Sequence, residues 1–173
     1  MNNSHYLLVD GYNIIHAWSE LKELAEQSSL DDARTKLIER LANYQGYKSI
    51  GIIIVFDAYK VKGGVEHSIS EGNIIVVYTK EAETADAYIE RTSHNLSRRY
   101  SVSVATSDIL EQIIILSHGA RRLSAEALQR DVIDVEKLIR QKTDKLKPVK
   151  NNQLSDNLDE KTAAILEKMR RGQ

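Results

Sequence analysis

Ile50-Gly51-Ile52-Ile53-Ile54-Val55-Phe56-Asp57 is a nearly continuous apolar run, rich in β-branched residues, that ends on a carboxylate. β-Branched side chains suit a pleated surface, and a run without polar alternation offers no face to water. It reads as a strand covered on both faces, as in a parallel sheet. The pattern recurs on either side of it. Tyr6 to Val9 runs into Asp10, Ile74 to Tyr78 and Val102 to Ala105 repeat it, and Ala120 to Leu123 is a weaker fifth strand.

Segments with helical spacing lie between these runs. Leu30 to Tyr44 places Leu30, Ala33, Leu37, Ile38 and Leu41 on one face, with Ser29 as its N-cap. Ala82 to Ser97 does the same with Ala85, Tyr88, Ile89, Thr92 and Leu96, and Ile109 to Leu116 and Ala125 to Lys142 follow. Alternating strands and helices predict an α/β three-layer sandwich, a mainly parallel central sheet with helices on both faces. Tyr59 to Gly72, with Gly63 and Gly64 among polar residues, predicts a long loop or an irregular hairpin. After Pro148 the periodicity breaks, and Leu154 to Arg171 predicts a terminal helix. The expected organisation is one domain over residues 1–147 and a partly helical extension over residues 148–173.

Composition removes several chemistries. The 173 residues include no cysteine, which excludes disulfides, thiolate zinc sites and cysteine nucleophiles, so any metal must be held by oxygen or imidazole. Twenty-four basic against 25 acidic residues is not the balance of a protein that coats nucleic acid; any nucleic-acid affinity must be local. The start MNNSHYLLVDGYN has no signal-peptide pattern, and no apolar run approaches the roughly 18 residues that span a bilayer. A cytoplasmic location without a membrane partner is the expectation.

In an open α/β sheet, ligands bind outside the carboxyl ends of the strands. Asp10, Asp57 and Asp108 end or closely follow three of the predicted strands, and Asp86 opens the helix after a fourth. Each has a local alternative as a turn, cap or helix-terminus charge. Gathering several carboxylates in a cleft is costly unless a cation or protons neutralise them. Mg2+ or Mn2+ suits such a site, being a hard cation that takes oxygen ligands and keeps waters for a phosphate to displace. Asn13 can position a water or a phosphate, or merely stabilise the turn after Gly11. Thr84 is an N-cap candidate beside Glu83, which is placed to approach a metal, and Ser107 reads as an N-cap.

The residues Leu7-Leu8-Val9-Asp10-Gly11-Tyr12-Asn13-Ile14-Ile15-His16-Ala17-Trp18 resemble the opening motif of the YacP-like NYN family. Val55-Phe56-Asp57-Ala58, Thr79-Lys80-Glu81-Ala82-Glu83-Thr84-Ala85-Asp86 and Val104-Ala105-Thr106-Ser107-Asp108 are similar to its remaining blocks, in the same order, over about the first 140 residues. The first block is the specific one, and the ordered set adds to it. The resemblance implies a PIN-like fold, a divalent metal at the acidic sheet edge, and endonucleolytic cleavage of RNA. It carries the ligand role onto Asp10, Asp86 and Asp108, with Asn13 and Asp57 assisting; Asp57 departs from the stricter PIN pattern. It also implies action on messenger RNA at the translating ribosome. Tyr12, His16, Trp18 and Tyr59 beside the strand ends are candidates for stacking on bases, although Trp18 reads more readily as core and His16 as a local hydrogen-bonding residue. Lys60, Lys62, Lys80, Arg91, Arg98 and Arg99 are candidates for RNA phosphates.

Two enzyme rivals fail on spacing. A haloacid-dehalogenase-like phosphatase wants a second acid two positions after Asp10, where Tyr12 stands, and neither G-x-G-x-x-G nor G-x-x-x-x-G-K-[ST] occurs. The rival from another class is a noncatalytic RNA-binding or ribosome-docking module. The set of strand-end carboxylates argues against it, because a phosphate-binding surface gains nothing from an acidic pocket.

Overall fold

The computed structural model describes residues 4–57, 67–71, 74–80, 83–108 and 120–146. Tyr59, Lys60, Lys62, most of the Tyr59 to Gly72 segment, and the helices expected over Ile109 to Leu116 and Leu154 to Arg171 lie outside the described residues. The chain divides into two compact units, residues 1–139 and 140–173, and the core and the site belong to the first.

Six strands are described: β1 (His5–Asp10), β2 (Gly51–Phe56), β3 (His67–Glu71), β4 (Ile74–Tyr78), β5 (Ser101–Ala105) and β6 (Arg121–Leu123). They form one sheet in the order β3-β4-β2-β1-β5-β6, parallel throughout except for the antiparallel β3–β4 pair. The helices among the described residues are α1 (Gly11–Ala17), α2 (Ser19–Gln27), α3 (Leu30–Lys48), α4 (Ala85–Ser97) and α5 (Ala125–Leu146). None of them is long and apolar enough to cross a membrane. This is the α/β architecture, with a mainly parallel sheet, that the alternation of runs predicts.

Strand alternation sorts the apolar residues into two cores. Leu7, Val9, Ile52, Ile54, Phe56, Ile74 and Val76 face one side, where α1, α2, α3 and α5 supply Ile15, Leu21, Leu37 and Leu128, and Trp18 joins them from between α1 and α2. Leu8, Ile53, Val55, Val77, Val102 and Val104 face the other side, where α4 supplies Ala85 and Ile89. Helices on both faces explain why β2 is buried at all six positions and shows no polar alternation. On the first face, buried Arg40 of α3 reaches Glu136 of α5 through two bonds of 2.7 and 3.0 Å, pairs with Glu20 of α2, and lies 5.1 Å from the centroid of the Trp18 ring.

Ser29 caps α3 by accepting the Asp32 N–H at 3.1 Å, and Thr84 caps α4 by accepting the Ala87 N–H at 3.2 Å, both as the sequence predicts. Three elements escape the sequence reading. α1 is two turns long, too short for helical periodicity to register, and α2 buries only Leu21. β3 falls inside the segment read as a loop or irregular hairpin. It does form a hairpin with β4, but with five paired positions, His67–Glu71 against Ile74–Tyr78. Its sequence, HSISE, has a single aliphatic residue, because an edge strand can be held by its ladder without an apolar face.

Candidate metal and RNA cleft

The strand order fixes where a ligand can enter. From β1 the chain proceeds to β2 on one side, and from β5 it proceeds to β6 on the other, so the crevice beyond the carboxyl ends of β1 and β5 is the topological switch point. Asp10 is the last residue of β1 and also the N-cap of α1, accepting the Asn13 N–H at 3.1 Å. A single residue thus ends a strand and starts a helix, which leaves its carboxylate little freedom. Gly11 makes this possible, since a Cβ there would lie 2.2 Å from Cε1 of Phe56 at the end of β2. No side chain fits between the β1–α1 junction and that ring.

Asp10, Asp57 and Asp86 line one cleft of about 250 Å³ together with Tyr12, Asn13, His16 and Ala85. Asp57 follows β2 and receives a long 3.5 Å contact from the buried Thr79 hydroxyl, whose N–H continues the ladder to Phe56 O at 3.0 Å. Asp86 lies in the first turn of α4. Asp108 follows β5, its N–H held by the Thr106 hydroxyl at 3.1 Å, and its charge acts on both Asp10 and Asp86. The four aspartates named from the sequence therefore belong to one electrostatic neighbourhood. Among the described residues, no three acidic or imidazole side chains form a ready-made metal cluster.

Burial dominates the protonation of Asp10. It is 8 % exposed, and desolvation, opposed by the Asn13 N–H and reinforced by Asp86, Asp57 and Asp108, pushes its pKa up from 3.8 to about 6. Asp86 is raised as well, by desolvation and then by Asp108 and Asp57. Like charges in a partly dry cleft raise one another, and a cation reverses the effect.

Asn13 has a role that residue type and spacing do not signal. Its Oδ1 accepts the Ser107 N–H at 2.7 Å and the Ser107 hydroxyl, which clasps the segment after β1 to the segment after β5 across the switch point. Ser107, which reads from the sequence as an N-cap, is the other half of this clasp. The two partners stand 94 positions apart, beyond the reach of any local pattern.

The expected RNA contacts divide. Tyr12 lines the cleft but does not offer a ring for stacking: it is 6 % exposed, packs edge-on against Phe56 at 5.0 Å, and its hydroxyl accepts a 2.6 Å bond from Arg34. The reason is the helical geometry of α1, which turns Tyr12 inward with Ile15. Trp18 is core, its Nε1 donating to Ala125 O at 2.9 Å. His16 stands exposed on the cleft wall and Lys80 is exposed after β4. Arg91 pairs with Glu83 and lies 5.2 Å from the centroid of the Tyr88 ring, so Glu83 is engaged by an arginine.

A parallel sheet with acidic side chains gathered at its switch point defines an α/β domain that works on its ligand at the carboxyl edge. The chain belongs to the YacP-like NYN domain family, whose model matches residues 7–171. It is 42% identical over 170 residues to the uncharacterized protein YacP of Bacillus subtilis (strain 168), an alignment covering 96% of each chain. The crystal structure of Rae1 (YacP) from Bacillus subtilis is similar with a TM-score of 0.71 and 40% identity, covering 99% of this chain and 96% of that one. A tryptophan-to-leucine mutant of Rae1 matches with the same TM-score and 39% identity, over 87% of this chain and 88% of that one. The family, together with these relatives, makes this a nuclease-like, RNA-related domain.

Proposed function

We propose that this protein is a metal-dependent endoribonuclease that cuts single-stranded RNA in the cytoplasm, with messenger RNA on the translating ribosome as its target. The observation that carries the reading is Asp10, a buried carboxylate raised to about 6 in a cleft shared with Asp57 and Asp86 and within electrostatic reach of Asp108. An arrangement that costs the metal-free fold stability is explained if the cluster serves a cation.

The donor set fits Mg2+ or Mn2+. It offers carboxylate oxygens and no sulfur, and carboxylates that do not converge into a closed cage suit an ion that keeps several of its own waters. Asp10, Asp86 and Asp108 would hold it, with Asp57 assisting. When bound, the ion supplies electrophilic stabilisation of the scissile phosphate and a more acidic water. Asp10 gives the cleft its rigid point, because strand end and helix cap fix it together. Asn13, its carbonyl oxygen engaged by Ser107, keeps the loop of Asp108 beside Asp10 and leaves its NH2 group for a phosphate oxygen. His16 on the cleft wall and Lys80, exposed after β4, meet the RNA.

Incubation of long RNA with the protein in Mg2+, Mn2+ or EDTA, with and without ribosomes, tests the reading. Metal-dependent internal cleavage, lost in Asp10→Asn, is expected; no cleavage in any metal, with or without ribosomes, overturns it. A noncatalytic RNA-docking module is the second reading, favoured by the absence of a ready-made metal cluster among the described residues. Calorimetric titration with Mn2+ separates the two, since a docking module needs no metal.

A further inference from the structure

At the end of the sheet away from the cleft, where β1 and β5 begin, the described flanking segments carry basic charge. Residues 4–9, 91–107 and 120–125 contain no aspartate or glutamate, although the chain has 25 acidic residues in 173. The same segments hold Arg91, Arg98, Arg99, Arg121 and Arg122. Arg98 and Arg99 follow α4 and are exposed, as is the adjoining Tyr100. The Tyr100 ring, 38% exposed, is propped edge-on by Tyr6 at 5.0 Å, and Ser101 donates its N–H to Ser4 O at 3.0 Å, so the platform is attached to the start of β1. Arg121 stands opposite Ser103, two ladder positions along β5 from the pairing of Ser101 with His5, and its charge reaches His5. Burial and the charge of Arg121 lower the pKa of His5, so the charge at this corner is carried by arginine. None of Arg98, Arg99, Arg121 and Arg122 forms an ion pair among the described residues.

Local reasons account for single residues. Arg98 closes α4, where the helix dipole favours a cation, and arginines on the edge strand β6 discourage pairing with another sheet. They do not account for an exposed aromatic ring beside arginines unpaired among the described residues. Guanidinium forks match phosphate oxygens, and a ring with one open face stacks on an unpaired base.

We propose that this corner is a second RNA-contact surface, in which Arg98, Arg99 and Arg121 hold backbone phosphates and Tyr100 stacks one unpaired base. The inference rests on the RNA-acting reading above and adds a site that the cleft does not contain. Strands of five or six residues put Tyr100, Arg98 and Arg99 on the order of 17–20 Å from the cleft, with Arg121 part-way along β5, so they hold a part of the RNA distinct from the scissile phosphate. It gives a near-neutral chain the local attraction that its acidic cleft lacks.

The test measures fluorescence anisotropy of a labelled single-stranded RNA of roughly 20 nucleotides with the full chain carrying Asp10→Asn, across a salt series. Combined Arg98→Ser, Arg99→Ser and Arg121→Ser is expected to weaken binding at least about tenfold and to flatten the slope of log affinity against log salt by about 2, while lysine at the same positions restores most of the slope. Tyr100→Ser is expected to weaken binding about fivefold or more with the slope unchanged. Parent-like affinity and slope in the serine variant overturn the proposal. Competition by polyglutamate as strong as by unlabelled RNA, with no effect of Tyr100→Ser, also overturns it by showing a generic anion patch. Cleavage assays with an intact Asp10 keep the two readings apart. A parent that cuts RNA while its arginine variant binds normally removes the corner alone. A parent that binds through the corner and cuts nothing removes the cleft reading alone, and a parent that neither binds nor cuts removes both.

Discussion

Asp10 ends a strand, caps a helix and faces three like charges, and these demands conflict in a way that stability measurements can read. Its pKa in the fold is about 6 against 3.8 for the free group, so between those values the folded chain holds a proton that the unfolded chain has lost. Stability therefore falls as pH rises through this window, by about 3 kcal/mol in total, because a tenfold difference in proton affinity between the two states is worth about 1.4 kcal/mol. Asp10→Asn keeps the cap and removes the titration. In EDTA the variant is expected to exceed the parent by up to about 3 kcal/mol near pH 8, the gap closing as pH falls toward about 4; urea denaturation at the two pH values checks this. A gap that does not change with pH would show that neither burial nor its neighbours strain Asp10. Gly11 is the second residue with a sharp expectation. Gly11→Ala drives a methyl group into the Phe56 ring, itself wedged between Tyr12 and Tyr78, and is expected to cost about 1–3 kcal/mol in the same assay. Stability equal to the parent would mean that the ring has somewhere to go.

At the scale of elements, the site depends on two segments that follow neighbouring strands but are far apart in the chain. The Asn13–Ser107 clasp joins them, and Asn13→Ala removes an acceptor that serves two donors. The Ser107 and Asp108 amides are expected to exchange hydrogen about five- to tenfold faster in that variant, equivalent to about 1 kcal/mol of local opening, with the amides of β1 unaffected. Asn13→Asp keeps an acceptor and should preserve protection while adding a fifth negative charge to the neighbourhood. On the opposite side of the first core, Arg40 ties α2, α3 and α5 together. Arg40→Ala leaves Glu136 without its fork partner and uncovers Trp18. Because Glu136 is partly open to water, the expected cost is about 2 kcal/mol, below the 3–5 kcal/mol of a fully buried pair. Thermal melting of the variant checks it.

For the whole molecule, the balance of charge sets how RNA arrives. A net charge of −1 gives no long-range attraction, and the cleft repels phosphate until a cation neutralises it. Free RNA is therefore expected to be cut slowly at physiological salt, and the same message engaged by ribosomes faster, since a large partner that presents unpaired RNA raises its effective concentration. Time courses of one message, free and under translation, compare the two; equal and efficient cutting of both would mean that the protein recruits RNA unaided.

What the sequence by itself determined is the layered α/β plan and the identity of the acidic residues. Continuous runs such as Ile52 to Phe56 can only be buried on both faces, and a carboxylate at the end of each such run must come out at one edge of a parallel sheet. The caps Ser29 and Thr84 were legible for the same local reason, a side-chain oxygen three residues before an orphan N–H. Only the tertiary structure decided which strands neighbour β1, that Asn13 clasps Ser107, that Tyr12 turns inward onto Phe56, and that Gly11 is required by that ring. It also decided that Tyr100, after the arginines that close α4, packs on Tyr6 at the start of β1. The physical reason is range: hydrophobic period and capping act over three or four residues and are written in the chain, whereas these contacts join residues tens of positions apart, with no local pattern to announce them.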